Sequence, residues 1–212
     1  MASHNYKGKR EKKNSRKSVV QPVESPDTDS LLEVIKYQHN LLLDHSLNLE
    51  GRSITLSGEI EEGWFDYLDA RLAILEGQDN EPITLKLCSI GGSTYEAGAI
   101  VGRIKASPCQ FIIEGYGCVM SAATLILASG NKRKLSKYAW FMHHGPRWGA
   151  EGKHANIKEA VKQTEREDTE WNKWMGEFTK KDATFWKKWS GHSDLYLSPE
   201  EALEYGVIDE II

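Results

Sequence analysis

From Arg52 to the C-terminus, apolar residues repeat alternately at two residues and at three to four. This alternation restricts the fold more than any other feature of the chain. Ile54 and Leu56 alternate with polar neighbours, so residues 52–57 read as a strand. Trp64, Phe65, Leu68, Leu72 and Leu75 recur at helical spacing, which predicts an amphipathic helix ending near Gly77. A second strand, 83–87, follows the turn from Asn80 to Pro82 and runs into Gly91-Gly92; a helix with Ile100, Val101 and Ile104 on one face comes next. A third strand, 111–113, leads through Gly115-Tyr116-Gly117 to a small-residue helix over 121–129, expected to be buried nearly all round. After a turn at Asn131 to Arg133, the run 139–142 reads as a strand ending in His143-His144. The glycine-bearing loop 145–152, a long charged helix over 154–178 and a helix opening at Asp182 follow. Ser198-Pro199-Glu200-Glu201 forms a capping box for a last helix that Gly206 ends. The expected fold is α/β, with stacked β-α units around a buried sheet.

With 212 residues, 40% of them apolar, the chain has material for one full-sized core. Residues 1–28 do not contribute to it: they are polar, carry Pro22 and Pro26, and read as a disordered basic arm. Residues 1–17 hold seven basic residues against one acidic, a surplus of +6, so the net charge of −4 leaves −10 on the other 195. An acidic body argues against nucleic acid as a partner. Ser30 with Glu33 forms a capping-box pattern, and a short helix is expected to start there. No apolar run is long enough to cross a membrane or to follow the N-terminal charges as a secretion signal, so a cytoplasmic protein is expected. Cys88, Cys109 and Cys118 have no metal-ligand spacing and read as reduced, packed thiols.

Ser121 opens a buried helix after a glycine-bearing turn. Such a serine ordinarily caps the helix, but a hydroxyl beside free helix-terminal amides also suits a nucleophile of acyl transfer. His143 and His144 end a strand 22 and 23 residues later, and a neutral imidazole is the usual base for activating a serine. Gly91-Gly92 follows a strand, yet the chain has neither GxGxxG nor a phosphate loop, so no nucleotide site or other cofactor is expected. Trp171, Trp174, Trp186 and Trp189 read as packing residues whose concentration suits a subunit interface.

Taken in order, Arg52-Ser-Ile-Thr-Leu-Ser-Gly-Glu-Ile60, Ser89-Ile-Gly-Gly92, Gly117-Cys-Val-Met-Ser121, Phe141-Met-His-His-Gly-Pro146 and Glu200-Glu-Ala-Leu-Glu-Tyr-Gly-Val-Ile-Asp209 resemble the proteolytic subunit of Clp protease, ClpP. The resemblance spans about residues 50–212. It implies a ClpP/crotonase-like fold of stacked β-β-α units with a protruding handle helix at 154–178, the domain occupying 29–212. It further implies a serine endopeptidase in which Ser121 is the nucleophile. His144, with Pro146 at the family's two-residue distance, is the general base. The backbone amides of Gly91 and Ala122 form the oxyanion hole.

The family's triad acid is the first aspartate of a double-aspartate stretch. Counting back from Ser198 without a gap places Ser190 there and Asp194 at the second, so Asp194 is the candidate acid. Ile90 and Cys88 also depart from the family's proline and asparagine. The resemblance implies a homo-oligomer, a heptameric ring, single or stacked in pairs. Unfolded polypeptides are the implied substrates, supplied by an AAA+ unfoldase that alone would use ATP. Two alternatives stay open, a catalytically silent ring subunit and a virus-type processing protease.

Overall fold

Ile54 and Leu56, then Ile83, Leu85 and Leu87, then Phe111, Ile113 and Val119, point inward from three neighbouring strands and are all but fully buried. These strands are the centre of the computed structural model, which describes residues 28–191 and 193–212. The elements in chain order are α1 (Thr28–His45), β1 (Leu47–Asn48), β2 (Ser53–Ile60), α2 (Trp64–Glu76), β3 (Ile83–Gly92), α3 (Thr94–Ala106), β4 (Phe111–Met120), α4 (Ala123–Ala128), β5 (Lys132–Leu135) and β6 (Trp140–His143). α5 (His154–Phe178), α6 (Ala183–Lys188), β7 (Leu195–Leu197), α7 (Pro199–Glu204) and β8 (Glu210–Ile211) complete the chain. The main sheet runs β1-β2-β3-β4-β5-β8, with β2, β3, β4 and β5 parallel. Parallel neighbours need crossovers, and α2 and α3 supply them, burying Leu68, Leu72 and Leu75 and Ala97, Ile100 and Ile104.

β4 divides the sheet. Its first half, Ile112–Gly115, pairs with β5, while Cys118–Met120 pairs with β6. The change of partner falls at a register shift opposite Leu87 and Ser89, where Gly117 takes φ 59°. All six residues of α4 are buried, as the small-residue stretch required.

The structure extends several expected elements. β3 and β4 continue to Gly92 and Met120 instead of stopping at 87 and 113, because glycines at 91, 92, 115 and 117 allow backbone too crowded for a side chain. Residues 132 and 133 begin β5 and do not form a turn, since Asp209 accepts from Arg133 and holds this segment beside the C-terminus. α1 already includes Thr28, so Ser30 and Glu33 lie inside the helix and not at its start. The helices at 154–178 and after the Asp182 and Ser198 caps match the spacing closely. In α5 only Asn172 and Met175 are buried. The basic arm lies outside the described residues, apart from Thr28 in α1. Of the three free cysteines only Cys109 is buried; Cys88 and Cys118 are half-exposed neighbours on β3 and β4, and burial and then Cys88 raise the Cys118 pKa.

Candidate active site

β4 ends at Met120, and Ser121 turns the chain into α4 with φ 53°. A left-handed backbone is unfavourable for a serine, so surrounding contacts must hold it there. They are visible: the Ser121 N–H donates to the Met142 carbonyl on β6 at 2.8 Å, and the Ser121 carbonyl accepts from the N–H and hydroxyl of Thr124. Ala122 takes the N-cap position without a side-chain cap, so Ser121 is not the helix cap its position favoured. Its hydroxyl faces elsewhere.

Because Met120 and Met142 are paired on parallel strands, the residues that follow both strands emerge at the same end of the sheet. Ser121 Oγ and His144 Nε2 are thereby 2.8 Å apart. His143 is fully buried, its ring edge-on to Trp186 at 5.0 Å between centroids. Desolvation pushes its pKa down to about 4. The Asn172 side chain and Trp186 backbone oppose this push without reaching hydrogen-bond geometry at either ring nitrogen. His144 is half-buried and its pKa is also lowered, first by desolvation; Asp194 raises it and Arg147 lowers it. A neutral imidazole against the serine hydroxyl can accept its proton.

Gly91, φ 95°, lies against the serine turn, within van der Waals reach of Ser121 and of the Ala122 amide. Among the described residues no group accepts from the Ala122 N–H. The Gly91 N–H donates to the buried Ser89 hydroxyl at 3.1 Å, so an incoming oxyanion would compete for it.

The candidate acid, Asp194, is placed differently from Ser121 and His144. Asp194 accepts from Arg147 at 3.3 Å and reaches His144 through its charge, without a direct hydrogen bond. Ser190, at the gap-free family position, exchanges hydrogen bonds with the buried Asn172 side chain. Its backbone packs so tightly on Gly145 that a Cβ there would fall 1.9 Å from the Ser190 carbonyl oxygen.

Sequence reasoning missed Thr94, Glu167, Asp168 and Trp171, which line the cavity beside Ser121 and His144. The spacing of 167, 168 and 171 places all three on one helix face, a legible signal, but nothing in a linear pattern says which face meets the serine turn. Trp186 is a core residue with no exposed surface, because α6 closes over Phe141 and His143; it is not part of a surface patch. Among the described residues no cluster of three His, Cys, Asp or Glu could hold a metal, and no helix is long and apolar enough to cross a membrane.

A serine on a strained strand-to-helix turn, facing an imidazole and flanked by a free amide, is the arrangement serine hydrolases use to activate a hydroxyl. The family model for Clp protease matches residues 39–212, and the chain belongs to that family. It is a divergent, ClpP-like member of a family of peptidases. It is 30% identical over 167 residues to the ATP-dependent Clp protease proteolytic subunit 2 of Corynebacterium efficiens, covering 77% of this chain and 83% of that one. It is 29% identical to subunit 1 of Corynebacterium jeikeium, covering 77% and 88%. A ClpP1 variant from Listeria monocytogenes superimposes with a TM-score of 0.72 at 27% identity, over 80% of this chain and 95% of that structure.

Proposed function

We propose that this chain is a serine endopeptidase that hydrolyses unfolded polypeptides inside a chamber of its own copies. The observation that carries the reading is the 2.8 Å approach of Ser121 Oγ to His144 Nε2 on a strained turn. His144 takes the hydroxyl proton as Ser121 Oγ attacks the scissile carbonyl carbon. The Ala122 amide, joined by that of Gly91, stabilises the oxyanion. His144 then returns the proton to the leaving amine as the C–N bond breaks, and a water activated by the same ring hydrolyses the acyl-enzyme. Asp194 supports the imidazolium by charge.

Family membership supports a heptameric ring, single or paired, working with an AAA+ unfoldase in the cytoplasm. The exposed Leu31, Leu32, Val34, Ile35, Leu42 and Leu43 of α1 give such a ring apolar surface to cover. A silent ring subunit is the second reading, favoured by one observation: among the described residues no carboxylate hydrogen-bonds to His144.

The test is intact mass after exposure to a fluorophosphonate, with native mass recorded on the same sample. One adduct that disappears in Ser121→Ala is expected. An assembled ring without an adduct overturns the peptidase reading and leaves the silent subunit. A labelling rate that falls in Asp194→Asn assigns the acid, whereas an unchanged rate makes the centre a dyad.

A further inference from the structure

The wall of the cavity beside Ser121 has a chemistry that the peptidase reading does not use. The space is small, about 60 Å³, and Ser121, Ala122 and His144 line it. Trp171, Asp168 and Glu167 of α5 line it as well. Beyond Thr94, Glu167 and Trp171 the space opens into a wider groove of about 400 Å³. A substrate side chain entering this slot beside the scissile bond therefore meets an indole and two carboxylates.

The carboxylates are oriented without being neutralised. Tyr95 Oη and Gln163 Nε2 both donate to Glu167 Oε1, each at 2.8 Å, leaving Oε2 with no donor among the described residues. Asn172 Nδ2 donates to Asp168 Oδ1 at 3.1 Å. All three donors are uncharged, and among the described residues neither carboxylate takes part in an ion pair. Arg166 lines the outer groove, with Glu170, and not the inner cavity.

An aliphatic stem against an indole, ending in a cation between two fixed carboxylates, is the complement of this wall. The geometry points to a preference for substrates with lysine or arginine immediately before the scissile bond, selected by Glu167 and Asp168 with Trp171 as the packing surface. This inference rests on the peptidase reading, since Ser121 defines which bond is cut. Acidic side chains are excluded from the same slot by like-charge repulsion.

The test uses the assembled full chain and peptides that differ only in the residue before the scissile bond: lysine, arginine, leucine, phenylalanine or glutamate. Cleavage is read as kcat/KM, and binding of the same peptides to Ser121→Ala is read by fluorescence anisotropy. Lysine and arginine peptides are expected to exceed leucine by at least tenfold. Glu167→Gln and Asp168→Asn should each reduce that ratio, and Glu167→Lys should move the preference toward glutamate, which a merely structural role would not do. Equal or better use of leucine or phenylalanine overturns the inference. So does a lysine-to-leucine ratio unchanged in all three variants. If the wild type neither cleaves nor takes a fluorophosphonate while Ser121→Ala still prefers basic peptides, the peptidase reading fails and the slot's selectivity stands. Indifferent binding by a labelled, cleaving enzyme overturns the selectivity alone.

Discussion

A Cβ built on Gly91 falls 2.5 Å from the Ser121 Cβ and 3.0 Å from the Ala122 nitrogen, so only a glycine at 91 lets β3 lie against the serine turn. The close approach also brings the Gly91 backbone next to the Ala122 amide.

Gly91→Ala should therefore damage reactivity more than fold. The added methyl is strained by φ 95° and collides with the serine turn, costing about 1 to 3 kcal/mol. Displacing an oxyanion donor should slow acylation by about 10²- to 10³-fold. Fluorophosphonate labelling rates beside thermal melts check this; labelling at the wild-type rate would remove Gly91 from the site.

The acid limb of kcat/KM should fall below the ordinary imidazole value, because His144 acts only when neutral and its pKa is lowered by desolvation. Asp194 raises that pKa and Arg147 lowers it. Asp194→Asn should move the limb to lower pH and Arg147→Gln to higher pH. Shifts in the same direction would contradict the electrostatic assignment.

His143 is buried in its neutral form with a pKa of about 4. The unfolded chain, with an ordinary imidazole near 6.5, binds more protons than the folded one between those values, so stability must fall as the pH drops from about 6.5 to about 4. Full protonation costs about 3 kcal/mol. Urea midpoints across this range should decline in the wild type and flatten in His143→Phe, where a neutral ring replaces the imidazole beside Trp186.

Arg103 joins α2 to α3 through both oxygens of Glu76, at 2.9 and 2.7 Å, and through Asp69 at 2.6 Å. The Arg103 hydrogen bonds hold the Glu76 pKa below the usual carboxylate range. The stability from this contact is present above the ordinary glutamate value and is lost as the pH falls through the lowered one. Arg103→Ala should cost about 2 kcal/mol at neutral pH and less in acid. Denaturant melts at pH 7 and pH 3.5 measure both.

Elements whose periodicity and caps were both local were legible from the chain: α2, α3, α5 and the Ser198 capping box came out nearly where the spacing put them. The extended ends of β3 and β4 were not, because glycines in a row signal a turn unless a neighbouring strand occupies the space a side chain would need. β7 was missed for a related reason: three residues, Leu195–Leu197, become a strand only by pairing with β6. Ser121 and His144 stood out through ordered motifs, but the acid did not. The environments of Asp194 and Ser190 depend on how the chain after α6 folds back onto the His144 loop.

Residue order alone determined the α/β alternation, the extents of α2, α3, α5 and α7, and the family, because hydrophobic spacing, capping chemistry and sequence motifs are properties of short segments. Tertiary structure decided how closely His144 approaches the serine, that Asp194 reaches it only by charge, and that Trp171 and two carboxylates line the cavity. These depend on strand register and on the face α5 turns toward the sheet, which residues distant in the chain establish by packing together.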